Sequence, residues 1–500
     1  MAGVLRVAGV TAALLLAGCA VGPDFKTPDP PDTRGYTPEP LGHGTASAAT
    51  PGGAGQRFVQ DLDLPGQWWT VFHSKPLDGL VERALANNAD VEAAQAALRV
   101  ARENVRAQQG ALFPQVDAGF NAFRGLPPIS AGPIDNSFEA PTFNLFTTQL
   151  SVSYVPDVFG GTRRSIEALA AQADQQRFQL EATYLTLTSN LAGAAVQEAS
   201  LRGQITATEQ IIKIERDVLK LMQRQRAAGQ IAEGDVVAQE AALAQVEQTL
   251  PPLQKQLLQQ RDLLAALVGG LPSDKLVERF ELAALTLPHD LPVSLPGKVV
   301  EQRPDIRMAE ANLQAASAQI GVAIANRLPG ITLTANAGST APSIDQMFAS
   351  GSEFWGATGA VTQPIFQGGT LFHRELAARA AFDQAKAQYR STVIVAFQNV
   401  ADSLRAIQTD AVALQKAVAS ERAAFKSLDI TRHRLELGDI NYLGLLSAQQ
   451  TYQQAVVALA QAKAARYADT VALFQALGGG WWNRSDVDAE RPITIGDFFQ

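Results

Sequence analysis

Residues 156–162 read Pro-Asp-Val-Phe-Gly-Gly-Thr, and residues 364–370 repeat the pattern as Pro-Ile-Phe-Gln-Gly-Gly-Thr. These stretches belong to a longer duplication, in which several residues recur 215 positions later in the chain. They are Ala89-Asp90-Val91, Leu98 and Phe113-Pro114, which return as Pro304-Asp305-Ile306, Leu313 and Leu328-Pro329. Gly229 and the pair Gly269-Gly270 also return, as Gly438 and Gly478-Gly479. Because order and spacing both match, we expect one structural unit that is used twice.

Length and charge narrow the class of protein. The chain has 500 residues, which alone would suggest about three domains, but the duplication favours two halves of one architecture. Its net charge is −8 and its Lys and Arg residues are scattered, whereas nucleic-acid binding calls for a basic surface. Ala, Gln, Leu and Val are abundant, a composition that suits long, closely packed helices.

The amino terminus predicts export. An apolar run from Val7 to Ala17 follows Arg6 and is typical of a secretory signal peptide, since it falls short of the ~20 residues that span a bilayer. The run ends in Leu16-Ala17-Gly18-Cys19, which resembles a bacterial lipobox, whose cysteine receives a diacylglycerol. The alternative is a stray thiol in a discarded peptide. Cys19 is the only cysteine, so no disulfide can form within the chain. By resemblance, Ala20 at the next position favours sorting to the outer membrane.

Proline and glycine dominate the following forty or so residues. They include Pro23, Pro28, Pro30, Pro31, Pro38, Pro40 and the run Gly52-Gly53-Ala54-Gly55. We interpret this segment as an extended tether between the lipid and the folded body. No later stretch approaches ~20 consecutive apolar residues, so we expect any membrane crossing to use strands.

Four segments alternate between apolar and polar residues, two in each repeat. They begin at Gln115, Phe146, Ile331 and Phe354, and each has about 9–11 residues, the length of a tilted membrane-spanning strand. Pro- and Gly-rich loops, residues 125–143 and 341–353, join the strands of each pair. Soluble hairpins would show the same alternation and remain the alternative at this point.

Long helices follow the strands. No proline occurs from Gly161 to Gly229 or from Ile365 to Arg491, so nothing forces a break, and a helix over 161–228 would measure ~100 Å. In the second repeat, apolar residues recur at steps of four and three, which predicts a long packing seam. The seam comprises Val393, Phe397, Val400, Leu404, Ile407, Ala411, Leu414, Val418, Glu421, Phe425, Leu428, Arg432 and Leu435.

The first repeat shows two stripes side by side. Ile211, Ile214, Val218 and Leu221 form one, and Ile212, Leu219 and Met222 form the other. Two stripes suit a helix with a neighbour on each side, as in a barrel of helices, and a plain antiparallel coiled coil is the alternative.

Glycines end both long helices. Gly229 and Gly438 are followed by renewed apolar periodicity, and glycine readily adopts the left-handed conformation at a helix end. We therefore expect two helical hairpins with their tips at these glycines. The arginines beside the tips serve either as solvated charges or as partner contacts; they are Arg224, Arg226, Arg432 and Arg434.

Several motifs, taken in order, resemble the TolC-like outer-membrane factors, and in particular their NodT-type lipoprotein subfamily. The motifs are the lipobox, Val21-Gly22-Pro23-Asp24-Phe25, Gln67-Trp68-Trp69-Thr70-Val71-Phe72, Asn88-Ala89-Asp90, Phe113-Pro114, Gln302-Arg303-Pro304-Asp305-Ile306-Arg307-Met308-Ala309-Glu310, Ile320-Gly321 and Gln363-Pro364-Ile365-Phe366. The resemblance extends from Cys19 to about Gly480.

The resemblance implies a mainly α fold with a transmembrane β part. Each chain would supply a duplicated strand pair and a duplicated long helical hairpin. Four strands cannot close a transmembrane barrel without leaving unsatisfied edges in lipid, and the family solves this as a homotrimer with a 12-stranded β-barrel continued by a 12-helix α-barrel. The predicted divisions are a signal peptide at 1–18, a tether at 19–65, repeat 1 at 66–271, a connector at 272–297, repeat 2 at 298–480 and a tail at 481–500.

The function implied by the resemblance is passive export of small molecules across the periplasm and outer membrane. The expected partners are a periplasmic adaptor (membrane fusion protein), a proton-driven inner-membrane pump of the resistance-nodulation-division type, and outer-membrane lipid. The sequence does not specify the cargo. A periplasmic coiled-coil scaffold or adaptor lipoprotein is the alternative, although it would not explain the duplicated strand pairs.

Site residues follow from the same resemblance. The closed aperture of the subfamily carries a ring of Leu and a ring of Asp; here Leu443 keeps the apolar residue, and Ser447 replaces the acid. We therefore expect a mainly hydrophobic gate. The expected adaptor contacts are the two hairpin tips, Ala228-Gly229-Gln230 and Leu437-Gly438-Asp439.

Nothing in the sequence points to an enzyme. The histidines form no metal-binding pair, and no nucleophile elbow or phosphate-binding loop is present. We expect no catalytic residue, no metal and no cofactor, only the covalent lipid on Cys19.

Overall fold

The computed structural model describes residues 20–33, 35–40, 42, 44–126, 142–274, 277–437, 439–440 and 442–484, with the backbone alone at Glu436 and Leu443. The strands are β1 (Arg57–Gln60), β2 (Gln115–Gly125), β3 (Phe143–Tyr154), β4 (Asp290–Val293), β5 (Gly330–Ala341) and β6 (Glu353–Thr362). The helices are α1 (Lys75–Asn87), α2 (Ala89–Gly110), α3 (Gly161–Ala227), α4 (Glu233–Leu267), α5 (Pro296–Gln302), α6 (Pro304–Ala325), α7 (Thr370–Glu436) and α8 (Tyr442–Ala476).

The chain forms two compact units. The strand unit comprises the described parts of residues 1–27, 97–176 and 309–389, and the hairpin unit comprises those of 28–96, 177–308 and 390–500. Each unit draws on both sequence repeats, because the chain passes through each unit more than once. None of the described helices is both long and apolar enough to cross a membrane.

Four antiparallel strands form the sheet of the strand unit, in the order β2-β3-β5-β6. All four predicted strands are confirmed. β3 begins at Phe143, three residues before its predicted start, because residues 143–145 continue the pairing with residues 123–125 of β2. The apolar alternation that begins at Phe146 does not extend to residues 143–145, because Phe143 and Leu145 lie on the opposite face of the sheet.

The long helices are also confirmed. α3 and α7 have 67 residues each, and α3 ends one residue before the predicted end. In the seam of α7, residues from Val393 to Val418 are buried at nearly every predicted position, whereas Phe425 is 54% exposed. Both stripes of α3 are buried or half-buried. Val218 and Met222 pack in one cluster with Val236 of α4 and Leu428 of α7, so this helix contacts more than one neighbour.

The tether is more structured than its composition predicts. Strand β1 lies within it and pairs in parallel with β4 of the connector. A four-residue strand is too short for its alternation to be recognised from sequence, and its pairing depends on backbone groups more than 200 residues away.

The duplication appears in the structure as two equivalent helix ends. The amide of Asn88 donates to the carbonyl of Leu267 at the end of α4 (3.0 Å), and the guanidinium of Arg303 donates to that of Ala476 at the end of α8 (2.7 Å). Asn88 and Arg303 are the recurring positions that precede α2 and α6. In each repeat a long-range side chain thus satisfies a carbonyl that the helix leaves without a partner.

Candidate functional site

The sheet has one apolar and one polar face. Directly paired residues of antiparallel strands project to the same face, so the register assigns every side chain to a face. The apolar face carries Val116, Ala118, Phe120, Ala122, Phe146, Leu150, Val152, Tyr154, Ile331, Leu333, Ala335, Ala337, Trp355, Ala357 and Val361. It also carries five polar or charged residues, most of which lie toward the ends of the strands: Arg124, Asn144, Thr148, Ser339 and Glu353. The polar face carries Gln115, Asp117, Asn121, Thr147, Gln149, Ser151, Ser153, Thr334, Asn336, Thr340, Thr358 and Thr362. This two-faced sheet suits a wall between lipid and water.

The first hairpin tip is a tight glycine turn. Gly229 has φ +74°, as predicted, and the amides of Gly229 and Gln230 donate to the carbonyls of Arg226 and Gln225, which is a Schellman motif. Arg226 pairs with Glu233 across the turn at 3.0 Å. A β-carbon on Gly229 would have no atom within 4 Å, so this tip presents a small, open surface.

The second tip has a similar hydrogen-bond pattern. The amide of Asp439 donates to the carbonyl of Arg434 (2.9 Å), and the two side chains also pair at 2.7 Å. Leu437 is 83% exposed. Gly438 lies outside the described residues. Both tips therefore combine an ion pair with solvent-exposed residues. Their contact with an adaptor stays a prediction.

The predicted gate residues lie in the first turns of α8. Ser447 is exposed, and its carbonyl accepts a hydrogen bond from the hydroxyl of Thr451 (2.9 Å). Leu443 belongs to the helix, but its side chain lies outside the described part of the structure. The gate assignment stays a prediction.

A core cluster holds the two hairpins together near their tips. Its members are Val218, Met222, Val236, Leu428, Tyr442, Leu445 and Ala448. Burial raises the pKa of the Tyr442 phenol, and the nearby carboxylates of Glu215 and Asp235 add to the shift. Burial also raises the pKa of Glu215, which accepts a hydrogen bond from the amide of Gln239. The first turns of α8, which carry the predicted gate residues, are thus anchored by packing against both hairpins.

Two carboxyl groups share a site between α7 and α8. Burial is the main reason why the pKa of Asp469 is raised to about 7. The carboxyl of Asp410, which is hydrogen-bonded to Asp469, adds to the shift, and the charge of Arg466, one turn earlier, opposes it. Such a pair is expected to hold one proton near neutral pH, since two adjacent charges repel.

We expect this pair to make stability depend on pH. The folded chain keeps a proton on Asp469 that the unfolded chain loses near its ordinary pKa of 3.8, so the free energy of unfolding should fall as pH rises from about 4 to about 7. The variant Asp469→Asn should flatten this dependence, as measured by thermal unfolding of the full-length protein in detergent at pH 5 and pH 8. Asp402→Asn, an exposed site on α7, is the control. A slope unchanged in Asp469→Asn would contradict the shared proton.

Two buried arginines were not predicted from the sequence. Arg466 is 1% exposed and donates to the carbonyls of Gly52 and Ala54 and to the side chain of Gln56. In the strand unit, Arg164 donates to the carbonyl of Val21 and to the carboxylate of Asp24. Their acceptors are mainly backbone carbonyls far away in sequence, which leave no residue pattern.

The motifs that carried the resemblance serve packing rather than chemistry. Trp68 is 1% exposed and stacks on Phe474 at 5.5 Å. Arg303 forms a bidentate pair with Asp305 (3.0 and 2.6 Å). A β-carbon on Gly22 would lie 2.5 Å from the α-carbon of Gly321, so both glycines are needed for this close approach. Among the described residues, no three His, Cys, Asp or Glu side chains are placed to hold a metal ion.

Comparison with known proteins identifies the fold and its family. The sequence profile of the outer membrane efflux protein family matches residues 80–270 and 295–479. The chain belongs to this family. It is 30% identical over 484 residues to the toluene efflux pump outer membrane protein TtgC of Pseudomonas putida, with 95% of each chain covered. It is 30% identical over 464 residues to the pyoverdine export outer membrane protein OpmQ of the same species, with 91% of this chain and 94% of the relative covered.

A solved structure supports the same family assignment. The outer-membrane channel OprN superimposes with a TM-score of 0.82 at 28% identity, over 93% of this chain and 100% of that one. This efflux protein is therefore an outer-membrane channel that extends into the periplasm and not an enzyme. The alternative of a coiled-coil scaffold or adaptor lipoprotein is set aside.

Proposed function

We propose that three copies of this protein form the outer duct of a tripartite efflux system, together with a periplasmic adaptor and an inner-membrane pump. The two-faced sheet carries the proposal. Its outermost strands β2 and β6 have 11 and 10 residues and are paired on one side only within the described chain. An open strand edge in lipid leaves backbone groups without partners, at several kcal/mol each.

Joining copies edge to edge removes these free edges. β2 leads away from α2 and β6 leads back toward α7, so β6 of one copy and β2 of the next can pair antiparallel, like all neighbours in the sheet. Such a contact joins different surfaces of identical chains and closes as a ring. Three copies give a closed twelve-stranded sheet, with the apolar faces toward lipid and the polar faces around the duct.

The lipid anchor is part of this proposal. Cys19 lies outside the described residues, but Ala20 lies close to Gly160, and Arg164 holds the carbonyl of Val21 at 3.1 Å. These contacts fix the start of the described chain on the strand unit, the unit that contains the proposed membrane wall. We infer that a diacylglycerol on Cys19 enters the leaflet beside the sheet.

The test is to purify the full-length protein and measure three properties. Light scattering should give the mass of a trimer, planar bilayers should show channel conductance, and intact mass should include a lipid on Cys19. Co-purification after crosslinking in cells should recover an adaptor and a resistance-nodulation-division pump. A monomer without conductance would overturn the duct.

We expect the variant Leu443→Ala to raise the conductance of the closed channel by at least about twofold, since removing an apolar side chain widens and wets a hydrophobic constriction. Single-channel recording in planar bilayers measures this. Leu258→Ala, an exposed leucine on α4, should leave conductance unchanged. Unaltered conductance in Leu443→Ala would place the gate elsewhere.

A further inference from the structure

A cluster of three neighbouring apolar side chains interrupts the polar face of the sheet. Phe123, Phe143 and Leu145, the aromatic collar, lie at the end of β2 and β3 beside the connection that joins these strands. Their exposed fractions are 50%, 39% and 37%, so none is buried among the described residues. Apolar side chains that remain open to water on an otherwise polar face mark a site of interaction.

The register and the ring contacts define the collar. Phe123 pairs with Leu145, and Gly125 pairs with Phe143, so all three side chains share the polar face. The rings of Phe123 and Phe143 lie 5.6 Å apart between centroids, within the range of favourable aromatic pairs.

A glycine makes room for this arrangement. A β-carbon on Gly125 would lie 2.5 Å from the ring of Phe123, a distance that no side chain could keep. The ring of Phe123 therefore lies over Gly125 rather than standing free, and the ring of Phe143 packs beside it at an interplanar angle of 53°.

Other residues of the polar face indicate what this surface can bind. Asp117 is the only charged residue that β2, β3, β5 and β6 place on this face, and it precedes Phe123 by six residues, about 20 Å along the strand. Nearby, the hydroxyls of Thr147 and Thr340 lie 3.2 Å apart. Phe354, the one other aromatic residue on the face, lies opposite Gly338. The carboxylate attracts cations along the wall and the aromatic rings can contact them, which together favour organic cations with apolar groups.

We propose that the aromatic collar is a binding constriction for lipophilic and aromatic cations inside the duct. The inference rests on the proposed function, because the trimer brings three collars around one passage. Phe120 and Phe146, with ring centroids 6.5 Å apart on the apolar face, provide a matched pair that would contact lipid instead.

The first test is the reaction of substituted cysteines with a charged, water-soluble methanethiosulfonate in planar bilayers. Reagent should lower the conductance of Phe123→Cys and leave that of Phe120→Cys and of the unsubstituted protein unchanged. If the unsubstituted protein does not conduct, the proposed duct fails. If all three conduct and Phe123→Cys does not respond, the duct stands and the collar is overturned.

The second test is block of potassium current by tetraphenylphosphonium. Phe123→Ala should weaken the block about tenfold, the loss expected when cation–aromatic contacts disappear from three copies, and Phe120→Ala should not. Leu145→Ser gives an independent variant if Phe123→Ala does not assemble. Equal block in the collar variants and the unsubstituted channel would overturn binding at the collar.

Discussion

The variant Gly229→Trp should abolish export while leaving the trimer intact. Gly229 adopts φ +74° with no atom within 4 Å of a β-carbon, so a side chain there meets backbone strain of about 1–2 kcal/mol but no collision. The indole would project from the tip at which we propose that the adaptor binds. In a strain that lacks the native gene, dye efflux should fall to the level of the empty strain, with trimers still detected in membranes.

A second glycine provides the matched control. Gly478 has φ +95°, and a β-carbon there would lie 2.8 Å from the carbonyl of Gln302, so Gly478→Trp should prevent folding and remove the trimer. Loss of the trimer in Gly229→Trp as well would show that the tip glycine is purely structural. Normal efflux in Gly229→Trp would contradict adaptor contact at this tip.

The variant Arg466→Met should destabilise the hairpin unit by about 1–3 kcal/mol, the usual cost of leaving a buried hydrogen-bonding group without its partner. The Arg466 guanidinium holds the backbone of Gly52 and Ala54 and the side chain of Gln56 (2.8 Å). Burial lowers the pKa of Arg466, because removing the guanidinium from water disfavours its charged form. Without the arginine, the buried side chain of Gln56 and the two backbone carbonyls lose their donor.

Two measurements follow for Arg466→Met: the midpoint of thermal unfolding, and limited proteolysis between residues 44 and 56, which should become faster. Arg422→Met is the control, because Arg422 is exposed and, within the described part of the chain, donates to the carbonyl of Ala49 (2.9 Å). A change below about 1 kcal/mol is expected there. Equal effects in the two variants would mean that the buried contacts of Arg466 do not stabilise the hairpin unit.

The sequence predicts the strands and long helices because local patterns specify them. Alternation along residues 115–123 identifies β2, and the absence of proline from Gly161 to Gly229 allows the helix of 67 residues that is observed. The tips were predicted from Gly229 and Gly438, whereas the gate and the adaptor contacts came from resemblance to a family and stay predictions. The recurring glycines form a pattern in the sequence, but the residues that they contact in the fold do not.

Tertiary structure alone decided how distant segments meet. Arg466 and Gln56 are 410 positions apart, and Arg164 meets the backbone of Val21, so neither contact leaves a local signal. The two rings of the collar likewise come together only through the register of β2 and β3, which places Phe143 opposite Gly125. Sequence periodicity records which face of an element is apolar, since that depends on neighbours a few residues away. Which chain segment covers that face, and which carbonyl meets which guanidinium, is fixed only when the whole chain packs.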